Sequence, residues 1–205
     1  MRAIMVSLLL MSLISVCDAQ IAVSGRFVSS SVSLPGGFTG EETTFTSPGY
    51  EVGIGYWFRL QEKRLEFTPE ISYGASSFDQ FDITTIGFNW NALIYPLDFH
   101  SDCNACPTFS KEGGLIKKGF YWLVSPGLIF ANANFGANLE SESNLTYRIG
   151  LGAGLDIGVT NLLTVSPFAM YNITGSAIDF QEESSGINQV HVGVRLTLRY
   201  DKDKW

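Results

Sequence analysis

Cys103 and Cys106 stand three residues apart in "DFHSDCNACPTFSKEGGLIKKG" (98–119), close to His100 and Asp102. A CxxC spacing serves a disulfide, a redox pair or half of a metal site. A redox role needs a helix N-terminus behind the first thiol, and zinc needs a fourth good ligand. Neither is evident in the sequence, so a structural disulfide is expected first, with free thiols next. His191 lies in "VHVGVRLTLRY" (190–200). A hydrolase would need it beside a nucleophile and an acid. No His-Ser-Glu grouping stands at a matching height on adjacent segments, and His191 reads as a histidine facing a filled interior, paired with an acid. Clustered carboxylates such as Glu41, Glu42, Glu182 and Glu183 could hold Ca²⁺ or Mg²⁺. Without an Asp-x-Asp-x-Asp-Gly loop they read as a solvated rim. No catalytic, cofactor-binding or metal-ligating residue is assigned, and the chain is read as non-enzymatic.

These residues need elements to hold them. A length of 205 residues supports one domain. The net charge of −7 leaves no basic stripe to neutralise phosphates, which excludes a nucleic-acid partner. The first nineteen residues combine Arg2, an apolar run from Ala3 to Val16 and the small-residue stretch Cys17-Asp18-Ala19. That is the pattern of a secretory signal, too short to span a membrane. Lipidation of Cys17 is the competing expectation, disfavoured by the bulk of Val16. The expected organisation is a signal peptide over 1–19 and one domain over 20–205, in an oxidising compartment.

After residue 19 the apolar residues alternate with period two and show no sustained helical period, so the chain reads as all-β. Eight segments are expected, near 20–32, 47–60, 65–75, 83–97, 120–133, 145–159, 163–175 and 188–200. Most exceed the usual strand of about 5–6 residues and suit a tilted bilayer crossing, which needs about 9–11.

Two hairpins indicate which face is inside. In "LTYRIGLGAGLDIGV" (145–159) one face carries Gly150, Gly152, Gly154 and Gly158. Pairing Val159 with Leu163 sets Gly154 opposite Phe168 and Gly152 opposite Met170. Small against large is what a filled eight-stranded barrel requires. Across "QEKR" (61–64), pairing Leu60 with Leu65 sets Phe58 against Phe67 and Arg59 against Glu66. The inward set then holds Arg26, Glu51, Arg59, Glu66, Glu70, Arg148, Asp156, Arg195 and Arg199. Buried charges of both signs imply a salt-bridge network and a plugged lumen. The opposite face carries Tyr50, Phe88, Trp90, Trp122, Tyr171 and other aromatics, as girdles facing outer-membrane lipid would.

Charge sorting gives the expected sidedness. Connections near 33–46, 76–82, 134–144 and 176–187 contain acids and no Lys or Arg, and all six Lys fall at the other, periplasmic end. "FTPEISY" (67–73), "VSPGLIF" (124–130) and "VSPFAMY" (165–171) repeat a pattern around Pro69, Pro126 and Pro167. Proline cannot donate to a ladder, so each should mark a bulge or a local break.

The signal ending at Ala19 and Gln20, "ALIYPLDF" followed by a loop and "KKGFYWLVSPGLIF", and the closing strand resemble small outer-membrane barrels of Gram-negative bacteria. The likeness is to the PorT-like barrel family in particular and, more loosely, to the OmpA and OmpX transmembrane barrels. It implies an eight-stranded antiparallel transmembrane β-barrel of meander order, integral to the outer membrane; no residue pattern in the sequence calls for a cofactor, and none is expected. It also makes Gly193, Leu196, Leu198 and Tyr200 resemble the terminal signal read by the barrel-assembly machinery. The chain departs from that pattern in running on as "DKDKW" after Tyr200 and in its long cysteine-bearing loop. In that loop Phe109, Leu115 and Ile116, beside Lys117 and Lys118, are the expected contact face for a partner protein.

Overall fold

A computed structural model describes residues 20–34, 43–60, 64–78, 81–97, 119–134, 142–160, 162–180 and 183–198. Eight strands form one sheet: β1 (Ile21–Leu34), β2 (Thr43–Tyr56, continued by Phe58–Arg59), β3 (Leu65–Ser77), β4 (Asp82–Ile94), β5 (Phe120–Asn134), β6 (Glu142–Leu155, continued by Ile157–Gly158), β7 (Leu163–Phe180) and β8 (Glu183–Leu198). Each pairs antiparallel with the next in sequence, and β8 returns to β1 from Ile21↔Leu198 to Val32↔Ile187. The sheet is therefore a closed barrel, and closure removes the free edges that a flat sheet would leave. The segment 1–19 and the residues beyond 198 lie outside the described residues.

Both hairpin registers follow the expected pairing. Val159 N–H donates to Leu163 O at 2.9 Å, and the ladder sets Gly154 opposite Phe168 and Gly152 opposite Met170. Leu60 N–H donates to Leu65 O at 3.0 Å, with Phe58 against Phe67 and Arg59 against Glu66. The room at the glycines is fully used. A Cβ on Gly152 would sit 2.3 Å from Ala169 O, and one on Gly154 would sit 2.3 Å from Tyr121 Oη. Because the Gly152 obstacle is backbone, Gly152→Ala should destabilise the barrel by about 1–3 kcal/mol. Gly25, with nothing within 4 Å of its Cβ position, is the control. Gly25→Ala should stay within about 0.5 kcal/mol in the same urea titration.

The three prolines each break one ladder without shifting its register. β2–β3 pairing runs to Gly55↔Glu70 and resumes at Phe58↔Phe67, skipping Tyr56 against Pro69. β4–β5 pairing skips Trp90 against Pro126, and β6–β7 pairing skips Leu155 against Pro167. On its other side each proline stays paired, with Trp90, Ile149 and Val194 respectively. The missing N–H is thus the one that would have met the preceding strand, and the result is a break rather than a bulge.

The strands overrun their expected limits at one end. β1 and β2 extend into 33–46, β6 begins at Glu142, and β7 and β8 occupy most of 176–187. The pattern of faces inverts there, which is why it did not read as membrane strand. Along most of the wall the outward residues are apolar, as with Phe27, Val52, Ile71, Phe88, Leu151 and Val192. At the overrunning end the outward residues are Ser31, Thr46, Asp82, Asn132, Ser143 and Asn188, while Val32, Phe78, Phe81, Ile83, Ala131, Ala133 and Ile187 are buried inside. Below the inversion the barrel is built to stand in lipid, and above it like a water-soluble barrel.

Candidate functional site

The lumen is the one place where buried polar chemistry accumulates among the described residues, and it is stacked in three layers. At the inverted rim, Phe78 and Phe81 stack with ring centroids 4.5 Å apart, and Phe45 meets Phe81 edge-on at 6.3 Å. With Val32, Ile83, Ala131, Ala133 and Ile187 they form a small apolar core that fills the mouth.

The middle layer is ionic. Arg148 on β6 forks onto Glu51 of β2, with Nη1 donating to Oε2 at 2.8 Å and Nη2 to Oε1 at 3.0 Å. It also donates to Asn89 Oδ1 from Nη2 at 2.8 Å and from Nε at 3.2 Å. Arg26 on β1 bridges Glu51 at 2.8 Å and Glu70, whose second oxygen accepts from Ser24 Oγ at 2.8 Å. Two guanidiniums and two carboxylates therefore cancel, each held by further donors or acceptors, as a desolvated ion cluster requires. His191 is fully buried nearby. Its Nε2 lies 3.3 Å from Gln189 Oε1, and Nδ1 has no hydrogen-bond partner among the described residues. The partner is an amide, not the expected acid. Gln189 passes the chain to Ser30 Oγ at 3.0 Å, which reaches Ser76 Oγ at 3.2 Å. Beside it an internal void of about 10 Å³, touching Glu51, Thr85 and Gln189, has room for a single water.

The third layer lies toward the opposite end. Tyr95, just after β4, points its hydroxyl at Asp156 Oδ2 (2.5 Å) and Glu66 Oε2 (2.9 Å). Trp57 Nε1 donates to the same Glu66 oxygen at 2.8 Å, and Ser166 Oγ donates to Asp156 Oδ1 at 2.5 Å. Arg195 stands 3.7 Å from Asp156 and over the ring of Tyr121, with Cζ 5.4 Å from its centroid. The Trp57 and Asp156 positions coincide with two of the ladder breaks, so each break carries a buried side chain that ties the interior. Leu93, Leu123, Phe168 and Met170 close the space between. Tyr95→Phe would leave two buried carboxylates without the hydroxyl between them. It should cost about 1–3 kcal/mol by urea titration.

Of the charged residues expected inside, Arg26, Glu51, Glu66, Glu70, Arg148, Asp156 and Arg195 are buried in the lumen. Arg59 is half-buried, and Arg199 lies outside the described residues. So do Tyr200, Cys103, Cys106, His100, Asp102, Phe109, Leu115, Ile116, Lys117 and Lys118, whereas Gly193, Leu196 and Leu198 sit on β8 with both leucines facing outward. Arg64, read as part of a turn, instead folds inward and stacks over Tyr95 with Cζ 4.2 Å from the ring centroid. Tyr95, Tyr121 and Asn89 were missed because only charged residues were sought on the inward face. Their odd numbers share the phase of Leu93, Leu123 and Ile129, and that phase is the signal that locates them. The described residues contain no group of three His, Cys, Asp or Glu that could hold a metal ion. The arrangement binds strand to strand.

By sequence, no protein-family model and no curated protein matches the chain. Solved structures do match. Neisserial surface protein A (NspA) superposes with a TM-score of 0.50 at 13% identity, over 89% of this chain and 100% of that one. Ail, the attachment invasion locus protein of Yersinia pestis, gives 0.42 at 12% identity over 89% and 100% of the two chains. The N-terminal β-barrel domain of Pseudomonas aeruginosa OprF gives 0.37 at 17% over 87% and 99%. At such identities the likeness concerns the fold alone, and the fold is that of an eight-stranded antiparallel outer-membrane β-barrel.

Proposed function

We propose that the chain is an integral outer-membrane protein of a Gram-negative bacterium, kin to the PorT-like barrels, whose sealed barrel is a non-enzymatic structural or accessory component of the membrane. Export would use residues 1–19, and insertion would use the barrel-assembly machinery acting on the closing strand. The observation that carries this reading is a lumen filled from rim to base by the apolar core, the ion cluster and the aromatic layer. The apolar outer wall supports a lipid setting, since a band of exposed Phe, Ile, Leu, Val and Trp side chains has no aqueous use at this extent. The acidic rim, by the sorting of charges in the sequence, faces the cell exterior.

An accessory subunit needs a partner, and the long connection 98–119 is where one would dock. Phe109, Leu115 and Ile116 offer apolar contact, with Lys117 and Lys118 beside them. Mass spectrometry of material co-purifying with the tagged protein from native outer membranes should find a stoichiometric partner. Changing Phe109, Leu115 and Ile116 together to Ser should release it while the folded, heat-modifiable band on gels persists. Unchanged co-purification of the triple variant would refute the docking face.

A further inference from the structure

The lipid-facing wall is uneven near its periplasmic end. On β2, β3 and β4 the outward rings of Phe58, Phe67 and Trp90 pack on one another, with centroids 5.3, 6.1 and 6.3 Å apart. On β5 and β6 tall and short outward residues instead face each other across the ladder: Trp122 opposes Ala153, and Leu151 opposes Val124. Trp122 is 54% exposed and Leu151 61%, so both stand clear of the wall, while Val124 and Ala153 are half-buried between them. The result is a groove of about 420 Å³ lined by Trp122, Leu123, Val124, Leu151 and Gly152. Leu123 is buried on the luminal side and pairs with Gly152, so the floor is main chain already hydrogen-bonded within the sheet.

Shape and surroundings select the occupant. A slot one ladder wide, with strands about 4.8 Å apart, admits an extended hydrocarbon chain but not a helix about 10–12 Å across. The volume falls among those of small-molecule sites, about 300–1,000 Å³. Trp122 bounds the periplasmic end, its ring met edge-on by Phe120 at 5.4 Å. Its indole N–H is a donor at the depth where ester and headgroup oxygens begin. Arg148, the single cation on β5 and β6, faces the lumen. With no outward Lys or Arg on these strands, a zwitterionic headgroup fits better than the phosphorylated sugar of lipid A.

We propose that the groove between Trp122 and Leu151 is a binding site for one acyl chain of a zwitterionic glycerophospholipid, whose headgroup sits at Trp122 in the periplasmic leaflet. The site holds this lipid in preference to the bulk lipid that exchanges freely along the rest of the wall. The inference rests on the outer-membrane setting and sidedness proposed above, and adds to them a particular ligand at a particular place.

The test uses the full-length protein in vesicles of phosphatidylethanolamine, doped with phosphatidylethanolamine that carries a photoactivatable diazirine in one acyl chain. Peptides holding Trp122–Val124 and Leu151 should take up at least about tenfold more label than those holding Val23 and Ile54, which are outward on β1 and β2 near the same end. Val124→Phe fills the groove from an outward position and should cut the label on Leu151 about tenfold. Leu151→Ala removes one wall and should cut the label on Trp122–Val124 by a similar factor. Val194→Phe, outward on β8, should leave both unchanged, and all three variants should keep the heat-modifiable band. Even labelling around the wall, or undiminished labelling in Val124→Phe and Leu151→Ala, would overturn the proposal. Stronger competition by lipid A than by unlabelled phosphatidylethanolamine, or photocrosslinks from the groove to a second copy of the chain, would overturn it too. Label nowhere on the wall would overturn the membrane setting along with the site, whereas even labelling removes the site alone.

Discussion

Arg148→Met should lower the stability of the barrel by about 3–5 kcal/mol, the cost of leaving a buried partner charge uncompensated. The side chain is among the most deeply buried in the molecule and serves Glu51 with two hydrogen bonds and Asn89 with two more. Met keeps the length and removes every donor, so among the described residues the carboxylate keeps the Arg26 ion pair at 2.8 Å and loses the Arg148 fork. The Glu51→Leu/Arg148→Met double variant removes both charges and leaves Arg26 with Glu70, which also holds Ser24. Its cost should fall below the sum of the single variants, with a coupling of about 1–3 kcal/mol. Urea titration of the folded barrel in lipid vesicles, followed by tryptophan fluorescence, reads both values. A single variant within about 0.5 kcal/mol of the parent would mean that the ion cluster is hydrated and contributes little.

Phe81→Ala should cost about 3–5 kcal/mol, as deletion of a buried aromatic ring does. Phe81 is stacked on Phe78 and edge-on to Phe45, inside a core whose outer face is polar. Thr46→Ala, at an exposed outward position of the same rim, should change stability by no more than about 0.5 kcal/mol. The contrast separates a folded rim from loose loops, since in loops the two substitutions would cost equally little.

The same rim shows where sequence reasoning stopped. Within the lipid band, polar-in and apolar-out alternation made β6 and β7 legible to the residue: Gly154 opposite Phe168 followed from the turn and the pairing of faces. At the rim the alternation continues with its sign reversed, so Phe45, Phe78, Phe81 and Ile187 looked like parts of polar loops rather than a core. Period two alone would have extended the strands; which face is apolar depends on the solvent outside. The ion cluster was legible as a set of inward residues, but its partnerships were not. Arg148 meets Glu51 across the lumen from strands far apart in sequence, and no local spacing encodes that contact. The prolines carried a signal, and each produced a ladder break because only one of its two neighbours needed its N–H. Arg64 escaped because a guanidinium stacked on Tyr95 leaves no trace in alternation.

A sealed lumen is tested most directly by ion conductance across planar lipid bilayers holding the folded, heat-modifiable protein. The three-layer filling predicts current at the baseline of the bare membrane across the voltage range, with Arg148→Met and Phe81→Ala the variants most prone to open. Stable unitary steps of reproducible size from the unaltered chain would contradict it and make the barrel a channel.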